Sequence, residues 1–292
     1  MKLGRVQKNR DNPVVFIIEG GQAILTPFSD PLDVLDLRDL AIDSGASLPW
    51  ERLLAGDLAG YKLLSPVNPP EVWAYGFTYE RGPQFGRSPM IPKGPAYTHA
   101  IESGRPEIFF KTTGTRVVGP EDGIGIRGDA RYTAVEPELC IIVDENARPR
   151  LFTAGNDVSA WDIEAQNPLW LAQCKTYEAC CALGPTAVTA DELPSEAEIR
   201  CRVIRSGNEL FNGSINISKM HWSFEELANF AAAFNPLPCG TVLMTGTAII
   251  RPDDQSLAEG DVVEISIDGI GTLRNVGRRI ESAVPFKPYY SD

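Results

Sequence analysis

The amino-acid sequence predicts an α+β protein that is mainly β, with a small N-terminal α+β domain ahead of a larger domain. Short runs rich in β-branched or alternating apolar residues outnumber the segments with helical periodicity. A proline-rich connector, residues 64–70, separates the two parts, and its three prolines favour extended backbone. We therefore divide the chain into residues 1–65 and 66–292.

The N-terminal part is predicted to hold two strands and one helix. Residues 2–6 and 13–18 have strand-like composition, and Gly20-Gly21 is a turn signal. The apolar spacing of residues 32–43 is that of an amphipathic helix, which Ser29-Asp30 can cap.

The larger part contains one clear helix among many strands. Residues 223–233 form that helix, with Ser223 and Glu226 placed as a capping box. Residues 80–104 are rich in Gly, Pro and charge and are interpreted as a long loop, a candidate lid. The predicted strands are 72–76, 107–111, 138–143, 150–154, 199–205, 242–245 and 262–267.

Charge and composition exclude several classes of partner. The chain has 292 residues, 43 % of them hydrophobic, and a net charge of −12, which disfavours nucleic acid and anionic membranes. The basic N-terminus precedes no apolar run, and no segment approaches the roughly 18 apolar residues of a membrane span. We expect a soluble, cytoplasmic protein with no nucleic-acid or membrane partner.

Cysteine and histidine usage argues for a hard cation rather than zinc. The six cysteines form no C-x-x-C pair, so we expect them to be reduced and buried. There are only two histidines, His99 and His221, which leaves little for a zinc site of the His/Cys kind. Acidic ligands for Mg²⁺, Mn²⁺ or Ca²⁺ fit the composition better.

Three carboxylates are predicted to converge on one face of a hairpin. Glu136 and Glu138 precede an apolar run and are two residues apart, so on a strand they share a face. If the next run pairs with Asp144 opposite Leu151, then Glu138 lies opposite Asp157. Like charges across a sheet repel, so this arrangement makes sense with a divalent cation between them. The alternative is a solvated acidic hairpin, and a one-residue slip would destroy the convergence.

Other polar residues have both a functional and a structural interpretation. Lys175 is either a charge-stabilising group or a surface lysine whose stem packs on apolar residues. Glu107 and Lys111 share one strand face and are either site residues or an ordinary ion pair. Gly246 and Thr247 offer backbone and hydroxyl donors to a ligand, or a plain turn.

The order of these motifs resembles the fumarylacetoacetate hydrolase superfamily over roughly residues 66–275, and most closely its 2-keto-3-deoxy-pentonate dehydratase branch. The motifs that carry the resemblance are G-F-T-Y-E (76–80), R-P-E-I-F-F-K (105–111), E-P-E-L (136–139), G-N-D-V-S-A (155–160), the segment 163–177 with its lysine, L-G-P (183–185) and T-G-T-A-I-I (245–250).

The resemblance implies a fold, a site and an assembly. The fold would be a mixed β-roll or barrel, and the chain a homodimer or homotetramer. A metal, commonly Mg²⁺, would be held by Glu136, Glu138 and Asp157. The catalytic residues would be Lys175 and Glu107, and the substrate-binding residues Phe77, Lys111, Gly246 and Thr247.

Two positions depart from the resemblance. Relatives usually carry arginine where this chain has Trp161, and the dehydratase branch tends to have basic residues where it has His221-Trp222. If the replaced basic residues touch substrate, the departures indicate an altered substrate preference, which is the interpretation we favour. If they are structural, the departures are only repacking.

The implied chemistry acts on a small 2-oxo acid through a metal-stabilised enolate. One hypothesis is a hydro-lyase that converts a 2-keto-3-deoxy pentonate to a 2-oxoglutarate semialdehyde. The alternative is a C–C hydrolase, decarboxylase or tautomerase acting on a diketo or oxo acid, since the fold does not choose among these reactions. A third hypothesis is a catalytically silent binding protein, against which the intact triad and Lys175 argue.

Overall fold

The computed structural model describes residues 1–35, 46–79, 103–252 and 254–285, and over these ranges the chain is mainly β, as predicted. The strands are β1 Lys2–Lys8, β2 Val14–Glu19, β3 Gln22–Leu25, β4 Ser47–Pro49, β5 Tyr61–Leu64, β6 Val72–Gly76, β7 Glu107–Thr112, β8 Val117–Val118, β9 Gly123–Arg127, β10 Pro137–Val143, β11 Pro149–Asp157, β12 Cys181–Val188, β13 Glu198–Arg205, β14 Asn208–Asn216, β15 Val242–Met244, β16 Val262–Ile267 and β17 Gly271–Ile280. The helices are α1 Pro31–Leu35, α2 Trp50–Leu54, α3 Trp161–Gln166, α4 Leu171–Lys175 and α5 Phe224–Ala232, with 3₁₀ turns at Gly114–Arg116, Pro168–Trp170 and Ile217–Lys219.

Two mixed sheets form the body of the described chain. The larger sheet has the order β4-β3-β2-β1-β12-β11-β10-β15-β6-β7, with β5 on β1 and β8 on β12. The smaller has the order β14-β13-β16-β17-β9. The main core lies between the sheets, where Ile141 and Phe152 of the larger share one apolar cluster with Ile265 and Leu273 of the smaller. All seven residues of β10 are buried, which gives the acidic residues at its start a rigid support.

The N-terminal strands have a core of their own and also join the larger sheet. Phe16 packs against Trp50 with ring centroids 5.7 Å apart, and the β2–β3 hairpin turns at Gly20 and Gly21, both with positive φ. Strand β1 pairs with β12 and so connects this unit to the part of the sheet that contains β10 and β11. The division at residues 65 and 66 stays a prediction.

Most predicted elements are confirmed. All seven predicted strands of the larger part are present, and α5 carries the predicted capping box between Ser223 and Glu226. The Asp30 carboxylate accepts from the Leu32 backbone N–H at the start of α1. The remainder of the predicted helix at 36–43, and nearly all of the predicted loop (80–102), lie outside the described residues.

The cysteine prediction is confirmed at five positions and wrong at one. All six cysteines are free, and five are buried, but Cys239 is exposed because it lies in the turn before β15. Among the described helices, none combines the length and apolar character needed to cross a membrane.

Candidate active site

The hairpin of β10 and β11 brings the predicted carboxylates together in a register two residues away from the predicted one. Ile142 lies opposite Leu151 and Glu138 opposite Gly155, so the predicted pairing of Glu138 with Asp157 is wrong. The Asp157 backbone N–H instead donates to the Glu136 carbonyl at 3.0 Å. A shift of two residues preserves the alternation of side chains, so all three carboxylates still share one face.

The three carboxylates form a compact, buried cluster. One carboxylate oxygen from each of Glu136, Glu138 and Asp157 lies within 4.8 Å of the others, and all three residues are buried. Burial, followed by the charges of Asp157 and Glu136, raises the pKa of Glu138 well above its usual value. Burial alone would raise the pKa of Asp157 too, but the ammonium groups of Lys111 and Lys175 lower it below the usual value.

Two buried lysines face this cluster. The Lys175 ammonium donates to Glu136 Oε1 at 2.8 Å and to Asp157 Oδ2 at 2.9 Å. Lys111 has no exposed surface; its ammonium pairs with Asp157 Oδ1 and donates to the Val158 carbonyl at 2.9 Å. Although burial would lower the pKa of Lys175, Asp157 and Glu136 raise it well above its usual value. Both lysines are therefore charged, and the surface interpretation of Lys175 is wrong.

Each triad carboxylate is fixed by its own donors. The Gly246 backbone N–H donates to Glu138 Oε2 at 2.6 Å, and the Trp161 indole N–H donates to Glu136 Oε1 at 2.7 Å. Gly246 has φ +87°, and an added Cβ would lie 2.5 Å from Thr78 Oγ1 and 2.9 Å from the Tyr75 carbonyl. Only glycine lets the backbone turn here and approach Glu138.

Two further carboxyls, Glu107 and Glu164, flank Lys175. The Phe109 ring lies 5.1 Å from the Lys175 ammonium, and Glu107 is two residues before it on β7. Glu164 lies on α3 and accepts from the thiol of Cys174, the residue before Lys175. Burial, and then the charge of Glu164, raise the pKa of Glu107 to about 7. Burial also raises the pKa of Glu164. Glu107 can therefore hold and release a proton near neutral pH, and Glu164 keeps its proton to a higher pH than an ordinary glutamate.

The remaining predicted residues lie on the segments that border the cluster. Phe77 follows β6 with φ +56°, an uncommon conformation for a bulky side chain. Thr247 follows Gly246, and its hydroxyl accepts from the Ile249 backbone N–H at 3.2 Å. Lys111 is fully buried, and its ammonium pairs with Asp157.

Sequence reasoning did not select Glu164, Phe109 or Tyr79. The Tyr79 hydroxyl is buried and finds no hydrogen-bond partner within the described part of the chain. Burial, and next the charge of Glu138, raise its pKa. Glu164 and Phe109 reach the site from separate elements, and only their position inside the resembling motifs could have indicated them.

The donor set fits a hard divalent cation. Three carboxylates match the oxygen ligands that Mg²⁺ and Ca²⁺ prefer. With metal–oxygen distances of about 2.1 Å for Mg²⁺ and about 2.4 Å for Ca²⁺, two ligands of one ion can be up to about 4–5 Å apart. The observed separation, within 4.8 Å, is compatible with that limit. When all three carboxylates are ionised, the two lysines leave the triad with one negative charge, so it still attracts a cation.

The chain belongs to the fumarylacetoacetate hydrolase family. Residues 95–277 match the family described as Fumarylacetoacetate (FAA) hydrolase C-terminal.

Within this family the chain is similar to sugar-acid dehydratases. It is 37 % identical over 283 residues to 2-dehydro-3-deoxy-D-arabinonate dehydratase of Saccharolobus solfataricus, covering 94 % of this chain and 95 % of that protein. It is 39 % identical over 275 residues to the probable 2-keto-3-deoxyxylonate dehydratase of Haloferax volcanii, covering 93 % and 94 %. A solved 2-keto-3-deoxy-D-arabinonate dehydratase, complexed with magnesium and 2,5-dioxopentanoate, superposes with a TM-score of 0.86 at 36 % identity, over 97 % of this chain and 100 % of that one. The predicted family and fold are thereby confirmed.

Proposed function

We propose that this chain is a Mg²⁺-dependent hydro-lyase that converts a 2-keto-3-deoxy pentonate to 2-oxoglutarate semialdehyde. The observation that carries the proposal is the buried triad of Glu136, Glu138 and Asp157 with Lys175 bonded to two of its members. The names of the similar dehydratases supply the substrate class.

The charges of the site suit a monoanionic 2-oxo acid. With all three carboxylates ionised, the triad and its two lysines carry one net negative charge. A bound divalent cation would make the net charge of the site positive by one, and one substrate carboxylate would then neutralise it. When bound, the cation would hold the 2-oxo acid and acidify its C3 proton. The Lys175 ammonium lies beside the triad and would stabilise negative charge developing on the 2-oxo oxygen.

The reaction needs more than one proton-carrying group. The C3–H bond breaks and its electron pair forms the C3–C4 double bond, while the C4 hydroxyl takes up a proton and leaves as water. A proton then leaves C5 and another leaves the C5 hydroxyl, so that the C5–O bond becomes the aldehyde double bond. C3 and C4 each gain one proton, and no oxidant or reductant is needed. Glu107 and Glu164, both with raised pKa values, would share these transfers as base and acid.

The other predicted site residues are proposed to border the substrate or to hold the metal ligands. Phe77, Gly246 and Thr247 would line the space in which the substrate carboxylate binds. Lys111, fully buried behind Asp157, would act by orienting that ligand rather than by touching substrate.

A panel of substrates tests the function. Mg²⁺-loaded protein is incubated with 2-keto-3-deoxy-arabinonate, 2-keto-3-deoxy-xylonate, an acylpyruvate and oxaloacetate, and the products are identified by NMR. We expect semialdehyde from one or both pentonates and no cleavage of the acylpyruvate. Cleavage of the acylpyruvate into two acids, with both pentonates unchanged, would replace the hydro-lyase with a C–C hydrolase. Enol–keto exchange of oxaloacetate alone would indicate a tautomerase.

We also propose a cytoplasmic homodimer or homotetramer. The free state of the six cysteines agrees with a reducing compartment. Size-exclusion chromatography with light scattering measures the mass directly, and a monomer would contradict the assembly.

A further inference from the structure

Trp161 begins α3 with its indole directed at the triad. Its backbone follows β11 by four residues, and the side chain is 9 % exposed. The ring stacks on Tyr132 at a centroid distance of 6.0 Å and an interplanar angle of 20°. The indole is therefore held in one orientation by its neighbour.

The indole N–H and the Lys175 ammonium donate to the same atom. Glu136 Oε1 receives both, at 2.7 Å and 2.8 Å. Among the described residues, no group donates to the other oxygen, Oε2, so that oxygen is free to act as the ligand. Two donors on one carboxylate oxygen fix the rotation of the whole group.

The donor from Trp161 is neutral, as is the Ser159 hydroxyl that donates to Asp157 Oδ1 at 3.3 Å, whereas the two lysine donors to the triad are charged. Lys111 and Lys175 orient Asp157 and Glu136 but also bring positive charge that opposes a cation. An indole N–H orients a carboxylate without that penalty, since it carries a dipole and no charge.

We propose that Trp161 is a positioning residue that sets the affinity of the triad for its divalent cation by holding Glu136 in the ligand orientation. This inference rests on the proposed metal site. Loss of a group that hydrogen-bonds to a metal ligand and orients it typically lowers metal affinity by about 10–100-fold. A buried, stacked tryptophan is well suited to orienting a ligand in this way.

Isothermal titration calorimetry with Mg²⁺ and Mn²⁺ tests the proposal on Trp161→Phe, which keeps an aromatic ring for Tyr132 but removes the N–H. We expect the dissociation constant to rise by about 10–100-fold. The metal-induced increase in melting temperature should fall accordingly, because that increase depends on the ratio of free metal to Kd.

Trp50→Phe is the matched control. Trp50 is 8 % exposed and lies in the N-terminal core, so the substitution has a comparable packing cost without touching the triad. An unchanged Kd in Trp161→Phe, with wild-type protein binding metal, would overturn the role of Trp161 alone. Failure of the wild type to bind either metal would instead overturn the proposed metal site.

Discussion

Replacing Lys111 with methionine isolates the stabilising role of a buried charge at the site. The ammonium of Lys111 has no exposed surface and pairs with Asp157, which is 1 % exposed. Methionine keeps most of the volume and removes the charge. Breaking a buried ion pair from one side costs about 3–5 kcal/mol. Because Asp157 keeps its bond to Lys175, we expect the lower end of that range, about 3 kcal/mol. For a chain of 292 residues, a loss of about 3 kcal/mol lowers the melting temperature by roughly 5 °C.

The surface pair of Lys62 and Asp122 provides a control with the same substitution. Its nitrogen and oxygen lie 2.6 Å apart, but the Lys62 side chain is 55 % exposed, and exposed pairs contribute at most about 1 kcal/mol. Thermal unfolding in the presence of a chelator should show a large loss for Lys111→Met and little change for Lys62→Met. Equal losses for the two variants would refute the assignment of Lys111 as a buried support of Asp157.

Three further predictions address the other site residues. Glu138→Gln should abolish or severely weaken Mg²⁺ binding in calorimetry, because one of three anionic ligands becomes neutral; wild-type affinity would remove Glu138 from the ligand set. Lys175→Ala should bind Mg²⁺ but turn over substrate slower by orders of magnitude, and wild-type turnover would contradict its catalytic role. Glu107 has its pKa raised from 4.5 to about 7, so its contribution to stability is fully present below about pH 4.5 and is lost as the pH rises to about 7. Between pH 5 and 7.5, the free energy of unfolding of the metal-free protein, measured in urea, should therefore fall less steeply in Glu107→Gln than in the wild type. Equal slopes for the two proteins would argue against the raised pKa of Glu107.

The convergence of the triad could be predicted because it depends only on which face of the hairpin each side chain occupies. Side chains alternate along a strand, so a register error of two residues leaves Glu136, Glu138 and Asp157 on one face. The exact pairing could not be predicted, since it depends on the turn and on a bulge beside Val143.

Several strands gave too little local signal to be predicted. Strand β12 contains Gly184 and Pro185 where its ladder with β11 is interrupted by a bulge, and sequence reasoning took that motif only as a family marker. Strand β14 is the outer strand of the smaller sheet and is largely polar. Its stability comes from pairing with β13 rather than from apolar alternation.

The groups that tune the site depend on contacts between distant segments. Trp161 is 25 residues from Glu136, and Lys111 is 46 residues from Asp157. From the sequence, Trp161 was visible only as a departure from relatives. Lys111 was visible as a partner of Glu107 on a strand face and, through the resemblance, as a substrate-binding residue. The burial that gives both residues their effect is set by the fold as a whole.

The most direct test of the central claim follows one sample through loss and return of the metal. Chelator-treated protein is mixed with 2-keto-3-deoxy-arabinonate, and proton NMR monitors the aldehyde signal before and after excess Mg²⁺ is added. We expect aldehyde to form only after Mg²⁺ and to stop when chelator is added again. Aldehyde formation in the presence of the chelator would contradict a metal-dependent dehydration at this triad. So would the absence of aldehyde when Mg²⁺ is bound.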